Sequence, residues 1–141
     1  MTVEHYYTDG KVIAAEDISI GDPAQKQMLY YSILCNDSTN FDGMEIGDPT
    51  ETALINLGDR LDSPAEAVRN TYPRLSEIPF DSDRKLMSTL HRFEDGGYTM
   101  VTKGAVDVLL ERTASIQRGG EVLALKDDDI RQIEEQNARC V

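Results

Sequence analysis

Polar and apolar positions alternate at the start of the chain, fall into helical spacing in its middle, and alternate again beyond residue 74. Thr2–Tyr7 carries β-forming residues at a period of two, and Asp9-Gly10 turns the chain into a partner run at Lys11–Ala14. After Pro23, Met28, Leu29, Ile33 and Leu34 recur near the helical period, which predicts a helix over residues 24–36. Asp37–Glu45 reads as a polar loop. Pro49 suits the first position of a helix over Thr50–Leu57, with Gly58 closing it. Ser63-Pro64-Ala65-Glu66 supplies a cap, a proline and a first-turn acid, so another helix is expected to reach Thr71.

The second half favours strands. Pro73 and Pro79 keep Arg74–Pro79 extended. Lys85–Phe93 and Tyr98–Lys103 are β-rich runs joined by Glu94-Asp95-Gly96-Gly97, a hairpin signal. Ala105–Arg112 has helical spacing, and Ser115–Arg118 and Glu121–Leu125 flank a second turn at Gly119-Gly120. A last helix is expected over Lys126–Asn137, where Asp127, Asp128 and Asp129 form a solvated first turn that suits the helix dipole. Hairpins mixed with helices, without repeating β-α-β units, indicate an α+β fold in which helices flank an antiparallel β-sheet.

Composition narrows the classes. With 141 residues, 40% of them hydrophobic, the chain suits a single domain with a real core. Its 26 acidic and 14 basic residues give a net charge of −12, which repels phosphate backbones and anionic lipid. No nucleic-acid partner is therefore expected. The apolar runs are too short to span a bilayer and no signal-peptide pattern opens the chain, so a soluble, monomeric piece is expected. Cys35 and Cys140 are too few for a disulfide framework or a four-cysteine zinc site, as befits a reducing compartment.

Several chemistries lack their residues. There is no GxxxxGK[ST] phosphate loop, no GxGxxG turn and no GxSxG elbow. His5 and His91 stand outside any spaced Cys/His cluster and read as surface or strand histidines, so neither a metal site nor a catalytic residue is expected. Three segments concentrate unusual residue types: Gly47–Leu54 (GDPTETAL), Pro79–Ser88 (PFDSDRKLMS) and Thr102–Ala105 (TKGA). Phe80 offers an aromatic plate, Glu51 an acceptor for an amino group, and Lys85 and Lys103 two cations. Stacking, an amino-group partner and phosphate neutralisation are what an adenine nucleotide requires. Read singly, each has a plain role: Phe80 as core, the lysines as solvated strand residues, Glu51 as a first-turn acid.

Together the three segments resemble the nucleotide-binding domain of cation-transporting P-type ATPases, in the calcium-pump-like branch. Gly47–Leu54 matches the family pattern GDPTE-x-AL. Phe80, Arg84, Lys85, Met87 and Ser88 match F-x-S-x-RK-x-MS, allowing for spacing, and Lys103–Ala105 matches KGA. Leu34-Cys35-Asn36-Asp37 looks like the family's LCN-acidic helix end, and Met1-Thr2-Val3 like the strand after its phosphorylation motif. The family's DKTGT, TGE, TGD and GDGxND sequences are not in this chain.

The resemblance implies that residues 1–141 form one nucleotide-binding domain cut from a larger membrane pump, facing the cytoplasm. It would bind ATP and present the γ-phosphate to the pump's phosphorylation domain, with the actuator domain as a further partner. Magnesium, brought as Mg-ATP, would be held mainly outside this domain. By itself the piece would hold nucleotide without completing phosphotransfer. The implied contacts are Phe80 for adenine stacking, Glu51 near the adenine amino group, Lys85 on the phosphate side, Lys103 and Gly104 on the pocket floor, and Met87 near the base. Ser82 stands where calcium pumps often have an arginine, and Arg139 is a candidate for the family's late arginine. The alternative is an acidic protein-interaction domain that keeps the fold without nucleotide affinity.

Two further expectations follow. Arg84, Lys85, Arg92 and Lys103 should make a local positive patch. The 85–103 hairpin should have a three-residue loop, or an irregularity of equal parity, with the second glycine at positive φ. That register puts Lys85, Met87 and Lys103 on one face, whereas a one-residue slip would exchange the faces.

Overall fold

Helix α1 (Pro23–Leu34) starts where the Asp22 carboxylate accepts the amides of Ala24 and Gln25 at 3.0 and 3.2 Å, with Pro23 in its first turn. The computed structural model describes residues 2–139. Met1, Cys140 and Val141 lie outside the described residues, and with them the first residue of the Met1–Val3 likeness and the last two that follow Arg139. Helix α2 (Pro49–Arg60) is capped in the same way, the Asp48 carboxylate accepting the Thr50 amide at 2.8 Å. Helix α3 (Ala65–Thr71) follows.

Packing among these three helices corrects two sequence expectations. Helix α2 runs through Gly58 to Arg60. A Cβ at Gly58 would stand 2.7 Å from the Ser63 carbonyl and 2.8 Å from Ile33 Cδ1, so this glycine serves close packing and does not end the helix. Ser63 is not the cap of α3 either: Pro64 holds that position, and the Ser63 hydroxyl donates to the Leu61 carbonyl at 3.3 Å. Leu29, Ile33 and Leu34 of α1, Ile55 and Leu57 of α2, and Ala65 and Val68 of α3 form the main core. Tyr6, Ala15 and Ile18 close it from the amino-terminal side.

The strands form three antiparallel sheets among the described residues, so the expected α+β class holds, divided where one sheet was expected. Strands β1 (His5–Thr8) and β2 (Lys11–Ala14) make the first hairpin. The central sheet has the order β3 (Ser76–Asp81), β4 (Leu86–Arg92), β5 (Tyr98–Gly104). Helix α4 (Val106–Glu111), the hairpin β6 (Ser115–Arg118)–β7 (Glu121–Ala124), and helix α5 (Asp127–Arg139) complete the chain. Asp129 is not solvated as expected. It is buried, pairs with Arg118 at 2.8 Å and accepts the Lys126 amide at 3.1 Å.

Central strand β4 is covered on both sides. One face turns Met87 toward Cys35 and Val101, below the end of α1. The other carries Ser88, whose hydroxyl lies 2.8 Å from that of Thr102 under the guanidinium of Arg84. His91, at 1% exposure, has its ring nitrogens 2.9 Å from the Tyr72 carbonyl and the Thr89 hydroxyl, a fully occupied strand histidine. Tyr72 also bonds Glu94 at the hairpin tip, which pushes its phenol up to about 12 and holds the Glu94 carboxyl below its ordinary value. Among the described residues no helix is long and apolar enough to cross a membrane.

The hairpin connection is longer than expected. Arg92 pairs with Tyr98, leaving five residues, 93–97, between the strands, and the positive φ of 81° falls on Gly96, not on the second glycine. Parity is nevertheless that of the three-residue loop: Met87 stands directly opposite Lys103.

Candidate functional site

The three sequence motifs converge on one end of the central sheet. The last cross-strand row runs from Asp81 through Leu86 to Gly104, and the next pairs Met87 with Lys103. Between Ile78 and Asp81 the register of β3 shifts, and Phe80 sits within that irregularity, 64% exposed. A bulge at a sheet edge re-aims the strand's side chains. The ring is therefore an open aromatic plate, not the core residue that composition alone suggests.

Lys85 departs from the expected strand. It closes the turn after β3, its amide donating to the Asp81 carbonyl at 2.6 Å, with a φ of 62° that side chains larger than glycine rarely adopt. Strand β4 therefore begins one residue later, and Lys85 leaves the alternation that was to place it beside Met87 and Lys103. What brings it near is Gly104: a Cβ there would lie 2.7 Å from the Lys85 carbonyl, so only glycine lets the turn and the end of β5 touch. Met87 is buried with Cys35 and Val101, and burial raises the pKa of the Cys35 thiol. A hollow of 580 Å³ beside α1 is lined by Lys103 together with Thr102, Val101 and Tyr31, but by neither Met87 nor Lys85. That hollow does not gather Lys85, Met87 and Lys103 together.

Glu51 and Lys103, 52 residues apart in the chain, do meet. Glu51 projects from the first turn of α2, and its Oε1 lies 3.2 Å from Lys103 Nζ. Its Oε2 accepts the Asp37 amide at 2.6 Å. The Lys103 ammonium is buried yet makes no hydrogen bond of good geometry among the described residues, although the stem is partly open to solvent. The end of the sheet thus offers a carboxylate with free lone pairs, a buried cation with available protons, and an open aromatic ring.

The remaining basic residues do not join it in one patch. Arg84 reaches across the opposite sheet face to Ser88 at 3.2 Å and to the Leu86 carbonyl at 3.0 Å. Arg92 lies over the Tyr98 ring on that same opposite face. Alternation along β4 and β5 separates both from Lys103. Arg139 is exposed at the end of α5. Sequence reasoning missed the two arginines that hold the end of α1, Arg69 and Arg74, because nothing local marks a side chain that binds carbonyls more than 30 residues away.

Comparison with known proteins places the chain in a family. A family model described as the P-type ATPase, cytoplasmic domain N, matches residues 24–140. Calcium-transporting ATPase 1 of Bacillus cereus is 38% identical over 133 residues, covering 94% of this chain and 15% of that protein. A calcium-transporting ATPase of Listeria monocytogenes is 37% identical over 137 residues, covering 96% of this chain and 16% of its own length. Calcium-transporting ATPase 1 of Lactococcus lactis is 46% identical over 99 residues, or 70% of this chain and 11% of that protein. The chain spans less than a fifth of each of these relatives.

Proposed function

From the premise that this chain belongs to the P-type ATPase cytoplasmic domain N family, we propose that it binds ATP and presents the γ-phosphate to the phosphorylation domain of a cation-transporting ATPase. The relatives' names support calcium as the ion and a transporting ATPase as the parent enzyme. In that pump the domain faces the cytoplasm, with the phosphorylation and actuator domains as its partners. One observation carries the reading: Glu51 and Lys103, from two separate motifs, lie 3.2 Å apart at the sheet end that also holds Phe80, Gly104 and Lys85.

These residues fit the ligand. Phe80 presents a bare ring for the purine to stack on, and stacking supplies most of the affinity. A carboxylate takes only donors, so Glu51 selects an exocyclic amino group over a carbonyl. Lys103 has protons to give, and its cation offsets a net charge of −12 that would otherwise repel a polyphosphate. Lys85, exposed on its turn, is free to meet the phosphate chain. Met87, packed beneath, backs the strand opposite Lys103. Magnesium enters with ATP, coordinated by the nucleotide and by residues beyond this chain, and no metal ligand is assigned within it.

Amide chemical-shift titration with ATP tests this. The expected dissociation constant is about 0.1–1 mM, the range one stack and a few solvent-facing charge contacts support. Shifts should centre on Phe80, Glu51 and Lys103, and Phe80→Ala should weaken binding at least tenfold. A titration that leaves those amides unmoved would refute nucleotide binding and favour the protein-interaction role.

A further inference from the structure

We infer that Asn36 is a positioning residue for Glu51, and that it sets the amino-group selectivity of the nucleotide site proposed above. Asn36 follows the last turn of α1 and is 1% exposed. Its side-chain amide donates to the Glu51 carbonyl at 2.9 Å and to the Ser32 carbonyl at 3.2 Å, while its Oδ1 accepts the Ser38 amide at 2.8 Å. One buried side chain thus ties the end of α1 to the first turn of α2. The next residue completes the link, the Asp37 amide donating to Glu51 Oε2 at 2.6 Å.

The segment is clamped from the far side. Arg69 donates to the carbonyls of Asn36 and Ser38, both at 2.9 Å. Arg74 donates to the carbonyls of Leu34 and Asn36, both at 3.1 Å, and pairs with Asp37 at 2.8 Å. Both guanidinium groups therefore fix the backbone that Asn36 and Asp37 present to Glu51. With one carboxylate oxygen held by the Asp37 amide and the other beside Lys103, Glu51 is restricted to a narrow range of orientations. An acceptor fixed in advance discriminates an amino group better than one that must be ordered on binding. Burial makes the arrangement sensitive: removing Asn36's amide leaves the Ser38 amide without its acceptor and strips the first turn of α2 of its tie to the end of α1.

The inference rests on Glu51 meeting the adenine amino group, and the test separates the two statements. Affinities for AMP and for purine riboside 5′-monophosphate, which lacks only the amino group, are measured on the full chain. A preference for AMP of about five- to tenfold is expected, the value of one hydrogen bond. In Asn36→Ala that preference should fall below twofold, affinity for the purine riboside should stay within twofold, and exchange of the Asp37 amide should quicken at least tenfold. Should Asn36→Ala fail to fold, Arg74→Lys, which keeps the charge but loses the fork, should shift the same readings in the same direction. Equal weakening of both ligands, or a preference that survives in these variants, overturns the positioning role. If the preference also survives Glu51→Ala, the reading of Glu51 falls and the inference falls with it. If Glu51→Ala abolishes it while Asn36→Ala and Arg74→Lys retain it, the inference alone falls.

Discussion

Lys103 shows how little a contact seen at the residue scale must contribute to stability. Its ion pair with Glu51 joins side chains 31% and 21% exposed, a setting in which such a pair adds about 0–1 kcal/mol. Its stem is partly open to solvent, while its ammonium is buried beside Glu51 and makes no hydrogen bond among the described residues. Lys103→Met keeps the stem and removes the charge. It should weaken ATP about tenfold, leave adenosine within twofold, and change unfolding free energy by less than about 1 kcal/mol. Parallel ATP and adenosine titrations check this, and equal losses for the two would show that Lys103 does not act through charge on the phosphates.

At the scale of elements, helix propensity and packing give opposite answers for Gly58. Glycine inside a helix costs about 1 kcal/mol relative to alanine, so propensity alone makes Gly58→Ala a stabilising change. In the structure α2 lies so close to the Ser63 carbonyl and to Ile33 of α1 that an added Cβ must push one of them aside. Overpacking of this kind costs about 1–3 kcal/mol, so Gly58→Ala should lower stability in urea denaturation. An unchanged or raised midpoint would mean that α1 and α2 yield without penalty. The hairpin illustrates the converse: parity kept Met87 opposite Lys103 although the loop is two residues longer than expected, because side-chain facing depends on odd or even spacing.

Across the whole molecule, apolar burial is uneven. The two core clusters draw on α1–α3, the first hairpin, β4 and β5, and no buried apolar residue follows Val101 among those described. Helix α4 contributes no buried residue, β7 is exposed throughout, and α5 buries only Asp129. Segments with few buried apolar contacts open at lower free energy than the core. Native-state hydrogen exchange should therefore show amides of residues 106–139 exchanging at least a hundredfold faster than those of Leu29–Leu34 and Leu86–His91. Comparable protection in both regions would contradict this gradient.

Much was legible in the chain itself. Helical spacing, Asp22-Pro23 and Asp48-Pro49 mark where α1 and α2 begin, and Asp-Gly and Gly-Gly pairs mark the turns, because these preferences act over a few neighbouring residues. The three motifs could likewise be read in order, as could their likeness to a nucleotide-binding domain. Only the tertiary structure decided that Gly58 packs where it was expected to cap, that Lys85 leaves its strand, and that Asp129 turns inward to Arg118. It alone brought Glu51 to Lys103 and gathered Asn36, Arg69 and Arg74 behind Glu51. Such contacts join positions up to 52 residues apart, and their energies exist only once the chain has closed and excluded water. A local pattern can name the residues, but only the packed chain sets the distances between them.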